Sequence, residues 1–198
     1  MALTDTQVWD LAERMSIPLV YCNFKNKLLN KKLQYNKFYI LNLEDEHDEN
    51  GERNGGSHYT CFQVNKYPNG KIEGVYFDSF GIAPPEIVQK FTGLKLPYST
   101  KDIQSLMNSA CGWYCLAFGH WINSSIYRSK DLYTDCASFL DMFDDLAIEQ
   151  SHLKNEWVLK HFFRSTDPSK RTPVELGGVL PADPSTISSE NNPEKTTL

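Results

Sequence analysis

Four polar residues, His58, Asp78, Gln104 and Cys111, are of the types that together carry out acyl transfer through a covalent intermediate. Cys111 stands in "NSACGWYCLAFGHWI" (108–122), between small residues and at the mouth of a nearly unbroken apolar stretch. That position reads as a helix start. A cysteine attacks as its thiolate, and a helix N-terminus with an imidazolium beside it lowers the thiol pKa. His58 would supply the imidazole as general base and acid, and Asp78 would accept from the ring, fixing its tautomer and orientation. Gln104, seven residues ahead of Cys111, could point its amide NH2 at the oxyanion of a tetrahedral intermediate. The backbone N–H of Cys111 would be the second donor. Gly112 would leave space for substrate backbone beside the sulfur. Taken singly, each residue also has a structural use: a packed thiol, a satisfied histidine, a turn-bonding aspartate, a solvated glutamine.

The elements around these residues follow from local signals. "TDTQ" (4–7) is a Thr-x-x-Gln capping box, and Val8, Leu11, Ala12 and Met15 then fall on one face, which predicts an amphipathic helix stopped by Pro18. "KFYILNL" (37–43) predicts a buried strand and "EDEHDENGERNGGS" (44–57) a polar loop. "HYTCFQVN" (58–65) and "KIEGVYFDSF" (71–80) flank Asn69-Gly70, a strong hairpin signal, so they predict two antiparallel strands that could bring Asp78 beside His58. "PPEIVQKFTG" (84–93) opens on prolines and closes on a glycine, as a helix would. Residues 111–127 are helix-length and apolar nearly all round, which predicts a central buried helix. Helical spacing also runs through 135–150 and 154–165. The order predicts an α+β domain over 1–164, its central helix packed on a mainly antiparallel sheet. Residues 165–198 are rich in Ser, Thr, Pro, Asn and charge, which predicts a disordered C-terminal tail.

Composition narrows the function classes. The chain has 198 residues and a formal net charge of −5, so no global basic field recruits nucleic acid or anionic membrane. The basic run "FKNKLLNKK" (24–32) is expected to be a solvated face. No apolar run approaches a membrane span, and "MALTDTQVWDLAERMS" has neither secretory order nor a myristoylation glycine, so export and membrane attachment are not expected. Five cysteines at irregular spacings predict free thiols in a reducing compartment. With no C-x-x-C, neither a zinc site nor another metal or cofactor is expected. Cys115, one turn after Cys111, together with Cys22, Cys61, His120 and Trp121, is expected to pack.

The order His, Asp, Gln, Cys within "GSHYTCF", "VYFDSFG" and "QSLMNSACGWYC" resembles the adenovirus-type maturation cysteine proteases (adenain), part of the wider superfamily of SUMO-specific proteases. "FYILNLEDE…GGSHYT" resembles the strand and loop before the catalytic histidine of these enzymes. "FDSFGIAPPEIVQKF" resembles versions encoded by virophages, Polinton-type elements and large DNA viruses. The likeness covers about residues 3–122. It implies a papain-like, SUMO-protease-like fold and a monomeric endopeptidase. Its substrates would be viral capsid or core precursor proteins, cut after Gly-Gly or Gly-X within the virion or the host cytoplasm or nucleus. It implies His58 as base and acid, Asp78 as orienter, Cys111 as nucleophile and Gln104 as oxyanion donor. The family commonly has Trp after the histidine; here Tyr59 stands there as an aromatic lid over the substrate cleft. The basic peptide and nucleic-acid activators linked with the adenoviral enzyme have no support in this acidic chain. Within the tail, Leu176-Gly177-Gly178 followed by Val179 offers a self-cleavage sequence. The alternatives are a deubiquitinase or SUMO-type protease acting on host conjugates, an acyltransferase and an inert capsid-binding scaffold.

Overall fold

The structure, a computed structural model, describes residues 2–124, 131–147 and 152–166. Four strands form one mixed sheet in the order β1-β2-β3-β4: β1 Leu19–Phe24, β2 Lys37–Asn42, β3 Tyr59–Lys66 and β4 Ile72–Phe77. β1 runs parallel to β2, and the β2–β3 and β3–β4 pairings are antiparallel. β1 is an element the sequence reading did not assign. The described residues also form five α-helices: α1 Asp5–Arg14, α2 Glu86–Thr92, α3 Cys111–Asn123, α4 Leu132–Leu140 and α5 Leu153–Thr166. The chain is thus α+β, and none of the described helices is long and apolar enough to cross a membrane.

The strands divide their side chains between two cores with a period of two. Phe38, Ile40, Cys61, Val75 and Phe77 pack with α1, α3, α4 and α5 on one face. Tyr39, Leu41, Phe62, Val64 and Tyr76 pack on the other with Val88 of α2 and Leu28. Leu28 belongs to a 3-10 helix over Lys25–Asn30 and is fully buried. The basic run therefore covers the second core as well as facing solvent, which corrects the expectation of a purely solvated face.

α3 lies in the middle of the first core. Phe118 stacks on Phe77 at 4.6 Å between ring centroids and meets Phe139 of α4 at 5.4 Å. Removing that ring leaves a cavity walled by sheet and helix, which cannot collapse together. Phe118→Ala is therefore expected to lower stability by about 3–5 kcal/mol, read from the midpoint shift in urea unfolding at unchanged slope.

Local signals translate into elements where the chain closes its own hydrogen bonds. Thr4 and Gln7 form the reciprocal capping box of α1. The hairpin turns at Gly70, whose φ is +83°. α2 ends at Gly93 in the left-handed conformation. The helical expectation for 135–150 needs correction: α4 begins at Leu132, capped by Asp131, and ends at Leu140. Beyond it, other parts of the molecule claim the backbone. Lys101 Nζ donates to Leu140 O at 2.8 Å, Asn155 Oδ1 accepts from Asp144 N at 2.7 Å, and Leu146 N donates to Asp102 O at 2.7 Å. α3 stops at Asn123, short of the expected 127, with 125–130 outside the described residues. α5 runs to Thr166, two residues past the expected domain boundary. The tail from 167 onward, with Gly177, Gly178 and Val179, lies outside the described residues.

Candidate active site

The β3–β4 register pairs Cys61 with Phe77, so one further step sets Asp78 opposite Thr60 and diagonal to His58. His58 immediately precedes β3 and Asp78 immediately follows β4, rather than lying within the strands. Their side chains meet there, His58 Nε2 to Asp78 Oδ1 at 3.0 Å, with both groups largely buried. Asp78 Oδ1 also accepts from Phe80 N at 2.7 Å. The turn is closed by Gly81 N donating to Asp78 O at 3.0 Å. Gly81 has φ +70°, and a Cβ there would fall 2.5 Å from Thr100 O, so only glycine suits this corner. The Phe80 ring lies 4.7 Å from the imidazole between centroids and walls it from one side.

α3 brings Cys111 to the same end of the sheet. Its N-cap is Ala110, which has no side chain to satisfy the first-turn N–H groups. The thiol shares its end of the cleft with His58 and lies beside the backbone of Tyr59 and Gly112, and each of these favours its charged form. Since Nε2 of His58 faces Asp78, the other ring nitrogen, Nδ1, is left for the sulfur. Burial works to raise the Cys111 pKa, but these neighbours outweigh it and hold the thiol below its ordinary value. Burial likewise opposes the imidazolium, yet Asp78 and Cys111 push His58 up to about 9. Both shifts favour a thiolate–imidazolium pair.

The other four cysteines point the opposite way. Burial pushes the Cys22, Cys61 and Cys115 thiols up, and Cys136 up to about 12. All five are free. Cys115 is buried with its Sγ 3.5 Å from Tyr59 O, in contact with Cys61. It packs, as does His120, whose Nδ1 lies 2.8 Å from Met15 O.

Gln104 reaches the site from the 101–110 loop. Ile103 N and Gln104 N donate to Ser79 O at 2.8 and 3.1 Å, and Tyr114 OH and Asn155 Nδ2 hold Ile103 O at 3.0 and 3.1 Å. Gln104 Nε2 donates to Asn108 O at 3.1 Å, which occupies one of its two hydrogens. Asn108 is tied in turn to α5 through Glu156 Oε1 at 2.6 Å. Gln104, His58, Cys111 and Phe80 line one cleft of about 500 Å³, together with Gly55, Gly56, Ser57, Tyr59, Asn108 and Leu106. Leu106 and its neighbour Met107 are 84% and 91% exposed at the rim.

Two substrate-side expectations change. The space beside Gly112 is not open: a Cβ there would meet Leu3 and Tyr59 side chains at 3.3 Å. The glycine serves the close packing of the segment before α1 and of Tyr59 on the first turn of α3. Tyr59 lines the cleft but is not a lid. It is buried, and its hydroxyl donates to Asp5 of α1, which makes it a fixed wall. Sequence reasoning missed Asp5, Glu156, Asn155 and Ser79, each of which acts through tertiary contacts between distant segments. The placement of Ser79 directly after Asp78 was the only local signal. No protein-family model matches the chain, and no curated protein matches it.

Proposed function

We propose that this chain is a cysteine endopeptidase of the papain-like, SUMO-protease-like type, cleaving viral capsid or core precursor proteins after Gly-Gly or Gly-X during virion maturation. The observation that carries this reading is the convergence of His58, bonded to Asp78 at 3.0 Å, with Cys111 and Gln104 on one cleft; the lowered Cys111 pKa, unlike that of the other four cysteines, agrees with it.

The chemistry follows from this arrangement. The Cys111 thiolate adds to the carbonyl carbon of the last glycine before the scissile bond. The oxyanion so formed is met by the backbone N–H of Cys111 and the remaining Nε2 hydrogen of Gln104. The His58 imidazolium gives its proton to the departing amine, and the C–N bond breaks to leave a thioester on Cys111. The imidazole, now neutral, takes a proton from water as that water attacks the thioester, and the carboxylate product leaves as the thiolate–imidazolium pair is restored. Asp78 keeps the ring in one tautomer throughout. Gly55 and Gly56 present bare backbone along one wall of the cleft, which suits a substrate whose last residues carry no side chain.

The same preference reaches the chain's own Leu176-Gly177-Gly178-Val179, where cleavage after Gly178 would remove the last 20 residues. The test is turnover of fluorogenic peptides ending in Leu-X-Gly-Gly and Leu-Gly-Gly, with intact mass followed over the same incubation. Cleavage of the peptides, and loss of the tail from the active chain but not from Cys111→Ala, is expected. Inertness toward both peptides and toward precursor proteins, beside cleavage of ubiquitin-like fusions, would move the activity to host conjugates.

A further inference from the structure

We propose that Ser79 is a positioning residue for the oxyanion donor: its hydroxyl, 2.7 Å from Gln104 Oε1, sets the Gln104 amide so that an Nε2 hydrogen faces the cleft. The inference rests on the reading of Gln104 as that donor. Ser79 and Gln104 are 1% and 2% exposed, so Oε1 on the Ser79 side has little water to turn to.

The orientation of a glutamine amide has to come from its partners, and here they decide it. Asn108 O can only accept, so the group 3.1 Å from it must be the NH2. Oε1 is then left facing Ser79, whose hydroxyl must donate. The backbone of Ser79 adds a second hold, because its carbonyl accepts from Gln104 N at 3.1 Å. One residue thus grips both main chain and side chain of Gln104. Its neighbour Asp78 orients the imidazole, so two consecutive residues at the end of β4 aim the base and the oxyanion donor into the same cleft. Without the hydroxyl, Oε1 would be a buried acceptor with no donor. The amide would then turn to find one and take its free hydrogen off line.

The test measures kcat and KM on a Gly-Gly peptide for the wild-type chain, Ser79→Ala, Ser79→Thr, Gln104→Ala and the Ser79→Ala/Gln104→Ala pair. Gln104→Ala is expected to lower kcat by about 10²–10³-fold, as loss of one oxyanion donor does. Ser79→Ala should lower kcat by about 10-fold or more with KM within about twofold, Ser79→Thr should restore most of it, and in the Gln104→Ala background Ser79→Ala should change kcat by less than about twofold. A merely structural serine would give equal losses in both backgrounds, and that result, or an unchanged kcat in Ser79→Ala, overturns the proposal. If the wild-type chain turns over no substrate, the functional reading falls separately. Exchange of the Gln104 side-chain amide hydrogens, followed by NMR, then decides the hold of Ser79 on that amide: faster exchange in Ser79→Ala upholds it and unchanged exchange overturns it.

Discussion

Replacing Cys111 with alanine is expected to lower kcat by about 10⁴-fold or more, because loss of a triad nucleophile leaves only binding and the oxyanion donors. No neighbouring thiol can stand in. Cys115 is a turn away on α3, but it is fully buried, engaged with Tyr59 O and pushed well up in pKa by burial and by Cys61. The substitution removes one sulfur from a residue 7% exposed and leaves Asp78 to hold the ring, so folding is expected to be preserved. Iodoacetamide at neutral pH should add once to the wild-type chain, at Cys111, and not to the variant, as mass spectrometry will show. Residual turnover within tenfold of wild type would remove Cys111 from the chemistry.

The second large effect is electrostatic. In the wild-type chain the thiolate–imidazolium pair is expected to persist from the lowered Cys111 pKa up to that of His58, about 9. Below that window the thiolate is protonated; above it His58 has no proton to give the leaving amine. The pH profile of kcat/KM should therefore be a bell whose alkaline limb lies near 9. Asp78→Asn removes the carboxylate that favours the imidazolium and frees the ring to adopt the wrong tautomer. The alkaline limb should move down and the acid limb up, narrowing the bell, and the maximum should drop by about 10²–10⁴-fold. A variant with the wild-type alkaline limb would show that Asp78 does not set the charge of His58.

Much of this arrangement can be read along the chain because its causes are local. The Thr4–Gln7 box, the Asn69-Gly70 turn, the Pro85-to-Gly93 span of α2 and the apolar run of α3 each close their energetics within a few residues. Even the meeting of His58 and Asp78 follows from one hairpin register, since strands joined by a tight turn pair in a forced order. β1 is different. "LVYCNF" is short and pairs in parallel with β2, so nothing adjacent in sequence announces its partner. The end of α4 is equally hidden, because Lys101 and Asn155 draw its following backbone away from helix.

The sequence by itself determined which residue types could perform acyl transfer, their order, and the α-β-α succession that carries them, since these depend on side-chain chemistry and short-range periodicity. Only the tertiary structure decided how the Gln104 amide is turned, and that the room beside Gly112 is taken by Leu3 and Tyr59. Those outcomes rest on hydrogen bonds and close contacts between segments far apart in the chain. Their geometry exists only once the sheet and α3 have packed.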